Sequence, residues 1–171
     1  MVESRQARTI ARGGMTVLLT VVTLYLVNII PTIKIFLFSL STAFLSVVVI
    51  EDGKRAAFLT FLATALLGLI ILPNKLLMLP YILYFGYYGI LKSIFERGPD
   101  ILREWLFKLL SFNLALFVFY ITGRCLFHFP FESKLPVIFL LILAQVYFLI
   151  YDYCYSLFIA NYYKYRQIIG K

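Results

Sequence analysis

IFLFSLSTAFLSVVVI (35–50), EDGKR (51–55) and AAFLTFLATALLGLIIL (56–72) decide the fold. Two uncharged apolar runs flank a polar hairpin with Gly53 at its centre. A hydrocarbon core about 30 Å thick takes roughly 18–20 helical residues, so each run is close to bilayer length. A transmembrane strand alternates apolar and polar positions, whereas these runs are apolar on every side. The reading is a pair of membrane helices joined by a turn in the headgroup region.

The same pattern recurs on both sides of this hairpin. Span one covers 14–30 and stops at Pro31, and the tight turn Pro31-Thr32-Ile33-Lys34 leads into span two, 35–50. Span three, 56–72, closes on Pro73-Asn74-Lys75. Span four, 76–95, carries Pro80 in its first turn, where a helix tolerates proline. The charged connector 96–104 leads to span five, 105–123, and the longest connector, 124–136, leads to span six, 137–160. The expected fold is all-α: an integral membrane protein whose single domain, 1–171, is a compact bundle of six transmembrane helices. No internal repeat divides it. The basic start Met1–Thr16 resembles a signal peptide. The apolar run continues to Ile30 without a small-x-small cleavage pattern, so a retained first helix is expected.

Composition points the same way. The chain is 63% hydrophobic and 14% charged, too few charges to cover a soluble domain of this size. Their placement orients the helices. Arg5, Arg8, Arg12, Lys54, Arg55, Lys92, Arg97, Arg103, Lys108, Lys164, Arg166 and Lys171 fall on one side of the predicted bundle. Only Lys34, Lys75, Arg124 and Lys134 fall on the other. The positive-inside rule then puts both termini in the cytoplasm. Trp105, Tyr162, Tyr163 and Tyr165 lie where interfacial aromatics belong. The net charge of +8 is spread over span boundaries, which suits anionic headgroups of a bilayer and not nucleic acid.

Few residues point to chemistry. Asp152 is the only acid within a predicted span, with Gln145 and Ser156 on its helical face. A lone intramembrane acid marks a proton or cation site or a partner contact, unless it is hydrogen-bonded to tyrosines or a nearby lysine. Asn113 in span five and Asn28 near the outer end of span one fit interhelical hydrogen bonds, and Asn28 also fits a ligand contact at the outer mouth. Tyr81, Tyr84 and Tyr88, and again Tyr147, Tyr151 and Tyr155, form stripes that either pack the bundle or wall an amphipathic cavity. Ala56, Thr60, Thr64 and Gly68 recur every fourth residue, a row that lets another helix come close, inside the bundle or from a partner. Cys125 and Cys154 lie on different spans near opposite faces, a layout for packing and not for a disulfide or metal site. His128, the one histidine, makes no catalytic dyad alone and reads as a solvated or interfacial imidazole. No Walker A, G-x-S-x-G or H-E-x-x-H pattern occurs. Asp52-Gly53-Lys54-Arg55-Ala56 resembles the opening of the CDP-alcohol phosphotransferase motif but lacks the aspartates that motif needs downstream. Neither an enzyme, a metal site nor a cofactor is expected.

Ala7-Arg8-Thr9-Ile10-Ala11 looks like the Ala-x-x-x-Ala element near span one of the substrate-binding (S) subunits of energy-coupling factor transporters. Leu79-Pro80 with Tyr84-Phe85-Gly86-Tyr87-Tyr88-Gly89 is similar in placement to their glycine-containing fourth span. Chain length and six-span layout also resemble that family. The resemblance implies a subunit that captures a vitamin-like small molecule from the outer face and delivers it inward. It implies as partners a membrane coupling subunit, docked through Ala7 and Ala11, and two ATPase subunits. It places ligand contacts at the outer ends of spans one, four, five and six, here Asn28, Lys34, Asn74, Lys75, Tyr81, Tyr84 and Arg124. The outer charges favour a neutral or anionic ligand.

Two rivals belong to other classes. An MreD-like membrane scaffold would have the same size and layout, but its interior would be filled with side chains where a binding subunit keeps a ligand-sized cavity. A proton-coupled carrier acting alone would depend on Asp152.

Overall fold

A computed structural model describes residues 2–96, 98, 100–125 and 136–169, with side chains withheld for 2–5, 137 and 169. His128, Glu132 and Lys134 of the long connector, with Arg97, Pro99 and Lys171, lie outside the described residues. Among the described residues the structure is helical, with no strand. Six α-helices run in order: α1 Val2–Ile29, α2 Lys34–Glu51, α3 Lys54–Ile71, α4 Tyr88–Phe95, α5 Ile101–Cys125 and α6 Val137–Ile169. Five of them, all but α4, are long and apolar enough to cross a membrane. The chain divides into two compact units, Met1–Phe127 and His128–Lys171.

Several helices outrun the apolar runs that announce them. α1 starts at Val2, well before the predicted start at 14, because Ala7 and Ala11 favour helix and their turns are tied down by contacts described below. α5 starts at Ile101, with Glu104 in its first turn, where the helix dipole favours an anion. Hydropathy marks the part of a helix that lipid accepts, not the point at which its hydrogen bonds stop.

In the first unit α1 packs on both α2 and α3, which also pack on each other. The fourth span lies against α2 and α3, and α5 packs on the fourth span. The seam is lined by small hydroxyl residues: Thr16, Thr20 and Thr23 on α1, Ser41, Thr42 and Ser46 on α2, Thr60 and Thr64 on α3, all buried. A buried hydroxyl is costly unless bonded, and most of these donate to a carbonyl one turn back on their own helix. Thr20 Oγ1 reaches the Thr16 carbonyl at 2.7 Å, Ser46 Oγ the Thr42 carbonyl at 2.7 Å and Thr64 Oγ1 the Thr60 carbonyl at 2.9 Å. Satisfied in this way, small side chains let backbones approach closely. A Cβ on Gly13 would sit 3.3 Å from Thr60 Oγ1, and one on Gly68 would sit 2.6 Å from Met78 Cε. The row Thr60–Thr64–Gly68 therefore faces into the bundle and is not a surface for a partner.

Span four is not one helix. A 3-10 turn, Lys75–Met78, is followed by a π-helical segment, Tyr81–Phe85, a turn at Gly86–Tyr87, and then α4. Gly86 N–H donates to the Tyr81 carbonyl, five residues back, at 2.7 Å. Such a break strands carbonyls that no water would reach in a bilayer. Neighbouring side chains collect them. Thr42 Oγ1 on α2 donates to the Phe85 carbonyl at 2.8 Å, and the Tyr87 hydroxyl donates to the Leu83 carbonyl. Thr42→Val is accordingly expected to destabilise the protein by about 1–2 kcal/mol, the cost of losing this buried interhelical hydrogen bond. Thr20→Val, whose hydroxyl serves only a carbonyl of its own helix, should cost much less. Unfolding of both variants in mixed micelles checks this, and equal losses would refute it.

The second unit contains α6 alone among the described helices. Tyr147, Tyr151 and Tyr155 stack in succession along it, with ring centroids 6.1 and 6.0 Å apart.

Candidate functional site

The residues expected at the outer mouth are mostly spent on local structure. Asn74 accepts from the Leu76 N–H at 3.0 Å and so caps the 3-10 turn. Lys75 Nζ donates to the carbonyls of Leu69 and Leu72 at the carboxyl end of α3, where a cation suits the helix dipole. Asn28 Nδ2 lies 3.4 Å from the Leu24 carbonyl on its own helix. Arg124 donates to the Tyr120 hydroxyl one turn back, at 2.8 Å, on the exposed face of α5. Lys34 opens α2 and is partly buried. Lys75→Ala is expected to cost about 0.5–1 kcal/mol through lost capping, read as a small fall in the thermal midpoint in detergent. No change would mean that the contact contributes nothing in solution.

Tyr81 and Tyr84 lie in the π segment and are buried in an aromatic cluster. The Phe61 ring stands 5.9 Å from Tyr81, and the Tyr84 ring lies 4.9 Å from Tyr88 and 5.3 Å from Phe112. The Tyr81 hydroxyl is buried near the Thr64 side chain, outside hydrogen-bond geometry among the described residues. The tyrosine stripe on the fourth span thus packs the first unit. Asn113 Nδ2 donates to the Leu109 carbonyl at 2.8 Å on an exposed face. On α6, the Asp152 carbonyl accepts from Ser156 Oγ at 2.8 Å, its side chain is buried, and Gln145 is partly buried two turns earlier. Cys125 and Cys154, expected to pack, are both exposed.

The polar chemistry of the first unit gathers at its other end. Asp52, in the turn between α2 and α3, accepts from Thr9 Oγ1 at 2.6 Å and from Arg12 at 2.8 Å, and Arg12 also stands 3.5 Å from Glu51. Lys54, at the start of α3, donates to the Ser93 carbonyl on α4 at 3.3 Å. Lys92 on α4 and Lys108 on α5 are each 1% exposed, and both ammonium groups lie 2.7 Å from the same oxygen, Oε1 of Glu96. Lys108 also pairs with Glu104 and lies 5.2 Å from the centre of the Trp105 ring. Contacts thus join α1 to the α2–α3 turn, α3 to α4, and α4 to α5 at this end. Beside Glu104 lies a cleft of about 420 Å³, where the stacked rings of Phe95 and Phe107 meet Asp100 and Arg103. The Arg103 guanidinium stands 5.6 Å from the Phe107 ring centre.

Reading these lysines by side alone missed their pairing. A signal was present: Lys92 with Glu96, and Glu104 with Lys108, are spaced i, i+4 in mirrored order. Their convergence on one oxygen depends on how α4 meets α5, which spacing does not give. Ala7 and Ala11 lie on the exposed face of α1 at this same end, one turn from Gly14, where a Cβ would meet nothing within 4 Å. Comparison with protein-family models, with curated proteins and with solved structures returns no match.

Proposed function

We propose that this chain is a multi-pass membrane subunit that works by docking, through the amino-terminal turns of α1, onto a membrane coupling partner. In that reading it is the substrate-binding subunit of an energy-coupling factor type transporter. It takes a small molecule from the outer face, and partner ATPases drive its delivery inward. The observation that carries the reading is the exposed row Ala7, Ala11 and Gly14 on α1. Small side chains on an open helix face let a second helix come close, one source of affinity between helices in lipid. Both termini sit in the cytoplasm, because the twelve-to-four division of Lys and Arg orients the bundle that way.

A specific test is to co-express the chain with a tagged coupling subunit and its ATPases, then compare Ala7→Leu and Ala11→Leu with the parent. Docking predicts that partner recovery falls about tenfold or more while the thermal midpoint holds, since both sites are exposed. Undiminished recovery would sink the reading. Mass spectrometry of small molecules that co-purify with the parent tests the binding role.

A second reading is a membrane scaffold. The filled aromatic cluster around Tyr81 and Tyr84 favours it, because ligand contacts were expected there. Wall-synthesis or division proteins as the only co-purifying partners, with no bound small molecule, would decide for it. A carrier acting alone would lose uptake in Asp152→Asn; unaltered uptake eliminates it.

A further inference from the structure

The first turns of α1 project beyond its apolar run, and a helix end without partners frays. Asp52 supplies the partners. Gly53, at φ +86°, lets the chain reverse after α2, a conformation that favours glycine. Asp52 and Gly53 both donate their N–H groups to the Val48 carbonyl, at 2.9 and 3.1 Å. That turn leaves the Asp52 carboxylate, 6% exposed, pointing at α1. One oxygen takes the Thr9 hydroxyl and the other takes the Arg12 guanidinium. A carboxylate held by two donors one turn apart fixes the rotation of a helix as well as its position. Gly13 against Thr60 closes the next turn.

Helical geometry converts this grip into an orientation. At about 100° per residue, Thr9, Arg12, Gly13 and Thr16 share one face and Ala7, Ala11 and Gly14 share the opposite one. Whatever holds the first set inward holds the second set outward. We infer that Asp52 is a positioning residue for the docking end of α1. It keeps the Ala7–Ala11–Gly14 row turned outward and set for a partner helix, so that docking orders no further turns. The row's role rests on the docking reading above, whereas the grip of Asp52 on α1 does not.

The experiment measures distance within the intact chain. Spin labels replace exposed Arg8 and Arg55, with Cys125 and Cys154 changed to serine. Dipolar spectroscopy in detergent or nanodiscs should give one narrow distance distribution for the parent. Asp52→Asn should broaden it about twofold as the α1 end loosens, while a control pair at Arg55 and Arg103 stays narrow. Arg12→Gln, which keeps the carboxylate, provides a second variant should Asp52→Asn fail to fold, and should broaden the same pair. Exchanging the charges, Arg12→Asp with Asp52→Arg, should narrow it again, a rescue that a general loss of stability would not give. An unchanged distribution in Asp52→Asn or Arg12→Gln overturns the inference. Ala11→Leu separates the two claims: it should leave the distribution narrow and abolish recovery of the tagged coupling subunit. If recovery survives Ala11→Leu, the docking reading falls and the row loses its role, while broadening in Asp52→Asn still shows that Asp52 holds the α1 end.

Discussion

Glu96→Gln is expected to destabilise the protein by about 2–3 kcal/mol. Two ammonium groups converge on one oxygen of Glu96, and both lysine side chains are almost wholly buried. Removing the partner of a buried charge costs roughly 3–5 kcal/mol. Here the carboxylate is 38% exposed and partly screened, so the lower figure applies. Glutamine still offers an acceptor but no longer offsets two neighbouring positive charges. Lys108 keeps Glu104, which offsets part of its charge. Lys92→Met and Glu96→Gln should be non-additive by about 0.5 kcal/mol or more when combined, as expected of groups in direct contact. Denaturant titration of the two single variants and the double variant in mixed micelles measures both figures. A Glu96→Gln loss within about 0.5 kcal/mol would mean that the network contributes no more than a surface pair.

Gly86→Val is expected to cost about 3 kcal/mol or more, enough to lower the yield of folded protein. A Cβ at this position would lie 2.6 Å from the Phe61 ring and 2.8 Å from the Tyr81 carbonyl oxygen. The ring can turn, though it is wedged between Tyr81 and Tyr87. The carbonyl cannot, because it accepts the hydrogen bond that closes the π segment. A side chain normally favours helix over glycine by about 0.5–1 kcal/mol, too little to offset this overlap. Gly14→Ala makes the contrast, since nothing lies within 4 Å of its added Cβ. It should raise the thermal midpoint slightly where Gly86→Val lowers it steeply. Similar midpoints for the two variants would contradict the close packing of the fourth span.

The number and order of helices were legible because long uncharged runs, apolar on every side, fit helices and not alternating strands. Boundaries were less legible, as α1 and α6 show, because polar helical turns carry no hydropathy signal. Span four was misjudged for a different reason. Pro80 and the glycines at 86 and 89 permit a break, but the carbonyl of Phe85 at the end of the π turn is taken by Thr42, from another helix. Such a contact is not written within the segment that it permits. The same limit applies to the site. Asn74, Lys75 and Arg124 were selected for being polar near one end, and backbone or neighbouring groups claim all three. Asp52 and Glu96 looked like loop charges until the tertiary fold set them against Arg12 and Lys108.

The broken fourth span also bears on how the protein is made. α4 has eight residues, roughly 12 Å of helix against a hydrocarbon core of about 30 Å. Such a segment cannot enter lipid alone with its backbone satisfied, whereas α1, α2 and α3 can. Those three precede the fourth span in the chain, and Thr42 on α2 is the residue that takes the Phe85 carbonyl. In a membrane, synthesis in this order would let the early helices serve as an internal chaperone for the weak one. A gene rearranged so that α4 emerges before α2 would send it into the bilayer with nothing to receive it.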